Sequence, residues 1–270
     1  MLSKINEAVS FIRENYSLRP SVGIVLGTGL GKFTNEIKIE KEISYADIPH
    51  FPLSTVKGHS GKMIFGELSG KKIVALSGRF HVYEGYTAAE TVFPVRVMKF
   101  LGIETLLLSN AAGSVNPAYA VGDLMIINDH ISQFTPNPLM GKNEEELGPR
   151  FPDMSEPYNR KLIKMMKTIA AEKNIKVHEG VYVAVTGPTF ETRAEYRMIL
   201  HIGGDAVGMS TVQECIAAGH MGLPVFAMSV ITDLGLGDAE NIITHEEVLA
   251  AAAAAEPGFA TLFCELIRQL

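Results

Sequence analysis

The sequence predicts an α/β fold: one domain spanning residues 1–270, built on a central mixed β-sheet flanked by helices. Three observations lead there. Short apolar, β-branched runs alternate with stretches at helical spacing along the whole chain. Several of the strand-like runs end in glycines or small polar residues, which is where open α/β sheets place their ligands. No internal repeat and no linker divides the 270 residues, and a hydrophobic content of 47% suffices for one large core.

Ile5, Val9 and Ile12 sit at helical spacing. Residues 22–26 form a short β-branched run that ends in glycines, and 72–77 are a second strand. Ala89, Val92, Phe93 and Val97 suggest a helix that Pro94 should kink. Strands are then expected at 105–109, 124–127, 180–185 and 225–231, and helices at 158–172, 192–201 and 213–221. Thr244 and Glu247 fit a capping box that opens the last helix. Six alanines, 250–255, continue that helix, and Pro257-Gly258 should kink or interrupt it before 262–270. Residues 136–157 hold seven prolines and glycines and the run Glu144-Glu145-Glu146. They read as a long surface loop, either functional or an idle excursion.

Bulk properties exclude several classes. A net charge of −6 with no basic stripe argues against nucleic-acid binding. Two cysteines, Cys215 and Cys264, make neither a disulfide framework nor a Cys-x-x-Cys zinc site, and they suit a reducing compartment. The first residues lack an apolar signal core, and the longest uncharged apolar run, 248–255, falls short of the roughly 20 residues a membrane span needs. A cytoplasmic protein with no membrane partner is expected.

The most informative stretch is Gly78-Arg79-Phe80-His81-Val82-Tyr83-Glu84-Gly85-Tyr86. If the preceding strand continues, Arg79, His81 and Tyr83 share one face and Phe80 and Val82 the other. A cation, an imidazole and a phenol on one face suit an anion site; they equally suit a solvated strand end. Gly27-Thr28-Gly29-Leu30-Gly31 offers backbone N–H groups and a hydroxyl to an anion, although it fits neither the P-loop nor the dinucleotide fingerprint. Lys57-Gly58-His59-Ser60-Gly61 sets a histidine between glycines, and Ser109-Asn110-Ala111-Ala112-Gly113-Ser114 reads as a strand end open to backbone contact. In Gly187-Pro188-Thr189-Phe190-Glu191-Thr192 a planar heterocycle could stack on Phe190 while Glu191 accepts its N–H groups. Glu191 also fits the first turn of the next helix. Gly208-Met209-Ser210-Thr211 supplies a flexible apolar side chain and two hydroxyls, Asp233 ends the strand from 225, and His245 lies in the first turn of the last helix. Together these give an anion set (Thr28, His59, Arg79, His81, Ser210) and a heterocycle set (Phe190, Glu191, Asp233).

These motifs, in this order over about residues 22–249, resemble the trimeric class of purine nucleoside phosphorylases. The resemblance implies the nucleoside phosphorylase fold, a homotrimer, and reversible phosphorolysis of purine nucleosides to the free base and ribose 1-phosphate in purine salvage. It implies that Thr28, His59, Arg79, His81, Ser210 and the Ala111 backbone hold phosphate. Tyr83, Met209 and His245 would hold the ribose, and Phe190, Glu191 and Asp233 the purine, with His81, Glu191 and Asp233 as the catalytic set. Phe151 would enter a neighbouring subunit's site. No cofactor or metal is implied; inorganic phosphate is a co-substrate and attacks directly, so no protein nucleophile is needed. One position departs. Members restricted to 6-oxopurines carry Asn where this chain has Asp233. An ionised Asp only accepts hydrogen bonds and suits a 6-amino group, whereas a protonated one can donate. Glu191 keeps the 6-oxopurine pattern, so inosine and guanosine are the expected main substrates, with weaker use of adenosine. A methylthioadenosine phosphorylase and a non-catalytic nucleoside- or phosphate-binding module are the alternatives.

Overall fold

The computed structural model of the chain describes residues 1–56, 60–235 and 243–270. Its centre is a nine-stranded mixed sheet in the order β2-β3-β4-β1-β5-β8-β7-β6-β9, with β9 pairing back onto β5. The strands are β1 (Val22–Leu26), β2 (Lys38–Ser44), β3 (Lys62–Leu68), β4 (Lys71–Ser77), β5 (Thr105–Ser114), β6 (Leu124–Phe134), β7 (Val177–Val185), β8 (Ala206–Gly208) and β9 (Val225–Leu234). All five residues of β1 are buried, as expected of a strand covered on both faces. It runs parallel to β4 and β5, with Val22 opposite both Ile73 and Thr105. β5 also runs parallel to β9, so the carboxyl ends of β1, β4, β5 and β9 fall on one edge. Because β9 returns to β5, the strands β5, β8, β7, β6 and β9 close into a ring.

The mixed sheet matches the expected fold class, but several elements differ from the sequence expectation. β5 runs on to Ser114, so the Asn110–Gly113 motif lies inside a strand rather than beyond one. Asn and Gly have poor strand propensity, yet β8 and β9 both pair with this end, and pairing overrides propensity. β4 stops at Ser77: Gly78 has φ 121°, and Val82–Glu84 form a 3₁₀ turn instead of continued strand. β2 has an exposed, charge-rich face and β8 has three residues; neither carries a pattern readable in isolation.

The helices are α1 (Leu2–Asn15), α2 (Ala88–Thr91), α3 (Phe93–Leu101), α4 (Arg160–Glu172), α5 (Arg193–His201), α6 (Val212–His220) and α7 (His245–Gln269). The helical stretch around Pro94 is interrupted at Val92, between α2 and α3, rather than kinked within one helix. Pro94 itself sits in the first turn of α3, where its missing N–H has no intrahelical partner to lose. Pro257 does not interrupt α7, which is continuous over 25 residues. Losing one backbone bond there costs about 3 kcal/mol, but Phe259, Leu262, Phe263, Leu266 and Ile267 beyond it are fully buried. Each such side chain contributes roughly 1.5–3 kcal/mol of burial, and Phe259 and Phe263 pack edge-on against Phe33. By length and composition α7 could cross a membrane, yet its apolar face packs on β9, β3, α4 and the turn that holds Phe33. The 136–157 segment is tethered at points: Leu147 is buried, and Glu144 binds the amino terminus at 2.8 Å.

Candidate active site

The chain after β1, β4, β7 and β8 meets the ends of β5 and β9 and the start of α7 around one cavity of about 380 Å³. Thr28, Arg79, His81, Ala111 and Ser210 line it, as do Tyr83, Met209 and His245, and Phe190, Glu191 and Asp233. His59 lies outside the described residues. Phe151 does not line this cavity; it is 87% exposed, with the Arg150 guanidinium over its ring.

Arg79 is the fixed charge of one end. Its side chain is 2% exposed, with Nε donating to Glu214 Oε1 at 2.8 Å. Nη1 donates to the Ser109 carbonyl at 2.7 Å and reaches Ser210 Oγ at 3.3 Å. Glu214 stands in the first turn of α6, where the helix dipole favours a carboxylate. The same helix end brings Ser210 to the cavity. Its cap residue, Thr211, has φ 72°, a left-handed conformation costly for a β-branched residue. Thr211 Oγ1 accepts from Asn110 Nδ2 at 2.9 Å, which ties this turn to β5. The Ser210 N–H points at the Tyr182 hydroxyl at 3.4 Å. Tyr182 is fully buried, which pushes its phenol up to about 12, so it stays neutral.

His81 is held from behind. Glu84 Oε1 accepts from the His81 backbone N–H at 2.9 Å and lies 2.8 Å from Nδ1. A carboxylate at Nδ1 fixes that nitrogen as the protonated one. Burial alone would raise Glu84, but hydrogen bonds from His81 and from the Thr55 hydroxyl and backbone outweigh it and leave the carboxyl at about 2. The Tyr83 ring stacks on His81 at 4.5 Å. The extended strand expected here is absent, yet Arg79, His81 and Tyr83 still face one cavity, because the 3₁₀ turn folds them back while Phe80 packs against Tyr45.

The other end is acidic and aromatic. Phe190 is 40% exposed at the cavity rim. Glu191 precedes α5 rather than lying in its first turn; Thr192 is the cap, and Glu195 completes the capping box. Burial raises the Glu191 carboxyl, and the charges of Asp233 and Glu195 add to the rise, against a hydrogen bond from Tyr196. Burial likewise raises Asp233, partly offset by hydrogen bonds from Thr232 and Tyr196. The turn into this segment has no room for another side chain: a Cβ on Gly187 would collide with Met209 Sδ.

Three residues that position others escaped the sequence reading. Glu84 had a legible signal, its spacing of three from His81, which is that of a capping box. Glu214 lies 135 residues from Arg79, and only the general need of a buried cation for a partner hints at it. Tyr196 reads as an ordinary apolar position of a helix face.

Such a cavity, cationic at one end and carboxyl-rich at the other, suits a ligand with an anion and a planar heterocycle. Comparison with known proteins agrees. The sequence pattern of the phosphorylase superfamily matches residues 21–268. The chain is 47% identical over 266 residues to purine nucleoside phosphorylase 1 of Geobacillus stearothermophilus, covering 98% of this chain and 97% of that protein. It is 46% identical over 254 residues to the purine nucleoside phosphorylase of Mus musculus, covering 91% and 87%. Isoform 2 of the Schistosoma mansoni purine nucleoside phosphorylase, solved in complex with cytosine and ribose-1-phosphate, superposes with a TM-score of 0.94 at 43% identity, over 99% of this chain and 96% of that one. The chain belongs to the purine nucleoside phosphorylases of the phosphorylase superfamily.

Proposed function

We propose that this protein catalyses reversible phosphorolysis of purine nucleosides, with inosine and guanosine as main substrates. The observation that carries the reading is the polarity of one cavity: Arg79 and Ser210 at one end, Glu191 and Asp233 at the other, and Tyr83, Met209 and His245 beside them. Phosphate, held by Arg79, Ser210, Thr28, His81 and the Ala111 backbone, attacks C1′ of the sugar. The C1′–O bond forms as the C1′–N9 bond breaks, and the bonding pair leaves with the purine. Positive charge grows on the sugar, as in glycoside cleavage, and the phosphate dianion beside it stabilises that charge. Negative charge grows on the base, so polar contacts to its edge strengthen as the reaction proceeds. Glu191 accepts the ring N–H of a 6-oxopurine.

Phosphate-dependent release of hypoxanthine from inosine tests the proposal. Release at the same rate without phosphate would identify a nucleosidase, binding without release a non-catalytic module, and a preference for adenosine would overturn the 6-oxopurine assignment. We further propose a homotrimer in which Phe151 enters a neighbour's cavity; its 87% exposure beside Arg150 leaves the ring available for that contact. Light scattering on the purified protein should give a mass near three times 29.3 kDa, and a monomer in solution would rule this out.

A further inference from the structure

Tyr196 lies at the base end of the cavity but was singled out by no sequence motif. It is 4% exposed, and its ring packs in a small apolar cluster with Val115, Val183, Ile199 and Val207. Its hydroxyl donates to Asp233 Oδ2 at 3.4 Å and is within hydrogen-bonding reach of Glu191. On the far side, the Thr232 hydroxyl lies 3.0 Å from Asp233 Oδ1. Two glycines clear the space for this arrangement. A Cβ on Gly113 would fall 2.6 Å from Asp233 Oδ2, and one on Gly235 would collide with the Tyr196 ring. The backbone on both sides is therefore shaped to let the phenol and the carboxyl meet.

A hydroxyl donor on each oxygen stabilises the ionised, accepting carboxylate and so opposes the burial that raises Asp233. An accepting Asp233 suits a 6-amino group and disfavours a carbonyl oxygen. Deprive it of the phenol, and burial beside Glu191 favours the protonated carboxyl, which donates to a carbonyl oxygen as an amide does. We infer that Tyr196 is a specificity-determining residue, which keeps Asp233 an acceptor and so admits 6-aminopurines to a site that Glu191 suits to 6-oxopurines. It acts through Asp233 and is a positioning residue. The inference rests on reading this cavity as a purine site.

Titration calorimetry of hypoxanthine and adenine, in phosphate buffer, tests it on the full-length protein. Tyr196→Phe keeps the ring in its cluster and removes only the hydroxyl. It should lower the affinity for adenine relative to hypoxanthine by about tenfold, the worth of one hydrogen bond to a charged group. Asp233→Asn alone should shift the ratio in the same direction. In the Asp233→Asn background, Tyr196→Phe should leave the ratio within about twofold, since an amide has no ionised form for the phenol to stabilise. A ratio unmoved by Tyr196→Phe, or moved equally in both backgrounds, overturns the inference. If the bases bind with the expected shifts but phosphate does not cleave inosine, the phosphorolysis reading fails and the role of Tyr196 stands. If neither base binds, both fail.

Discussion

Arg79→Lys should lower kcat/KM for phosphate by about 10²–10³-fold, the usual effect of losing one placed donor to a reacting oxyanion, while the protein stays folded. The arginine is committed in two directions. Nε pairs with Glu214 at 2.8 Å, and Nη1 bridges the Ser109 carbonyl and the Ser210 hydroxyl at the cavity wall. Only a planar fork serves both; an ammonium on a flexible stem is a point charge with one location. With Glu214 buried behind it, lysine is drawn to the carboxylate and leaves the phosphate end. Lysine also isolates the catalytic effect. Arg79→Ala would strand Glu214 as a lone buried charge and cost about 3–5 kcal/mol in stability, which confuses activity with unfolding. Steady-state kinetics with varied phosphate at saturating inosine reads the effect, with a melting curve as the control for folding. An unchanged KM and kcat for phosphate would show that Arg79 serves Glu214 and the fold, and that phosphate is bound elsewhere.

The contrast between Arg79 and its partner shows what the sequence made legible. Arg79, His81 and Tyr83 were found because they crowd into five residues after a strand, and local density survives even where the local structure is misjudged. The extended face expected there is a 3₁₀ turn, yet all three side chains reach the cavity. The fold class was legible for a similar reason. Apolar runs such as 22–26 and 225–231 are buried on both sides, and burial is written into composition. What the sequence did not carry was information between distant segments. β5 runs to Ser114 because β8 and β9 pair with its end, some 90 to 120 residues later. Glu214 completes Arg79 from α6, and Tyr196 completes Asp233 from α5. In each case the chemistry-bearing residue is visible and the residue that orients it is not, because orientation is a property of tertiary contact. Pro257 makes the same point from the other direction: a local breaker is overruled by the aromatic packing beyond it.

Gly27→Ala should destabilise the protein by about 3 kcal/mol, as overpacking against atoms that cannot move does, and lower its melting temperature by roughly 6–10 °C. The glycine-rich turn after β1 invites a uniform explanation, that its glycines bare the backbone to an anion. The structure gives its three glycines three different reasons. A Cβ on Gly27 would lie 2.6 Å from Asn110 Cα and 2.7 Å from the Ser109 carbonyl, which belong to the backbone of the neighbouring central strand. The Gly27 N–H also donates to Ser109 Oγ at 3.1 Å, and that hydroxyl donates to the Val25 carbonyl at 3.1 Å, so the two strands are pinned at this point. Gly29 has φ 79° and faces Ala252 of α7, so its requirement is conformational as well as steric. At Gly31 a Cβ would meet nothing within 4 Å, so Gly31→Ala should fall within about 0.5 kcal/mol of the parent. The strand separation forced by Gly27→Ala would carry Thr28 on one side and Asn110-Ala111 on the other out of position, so phosphorolysis should fall further than the loss of folded protein explains. Chemical denaturation of both variants, with activity corrected for the folded fraction, tests the distinction. Equal effects at 27 and 31 would return the motif to a generic flexible loop; a large effect at 27 alone makes it the place where a close approach to β5 sets one wall of the active site.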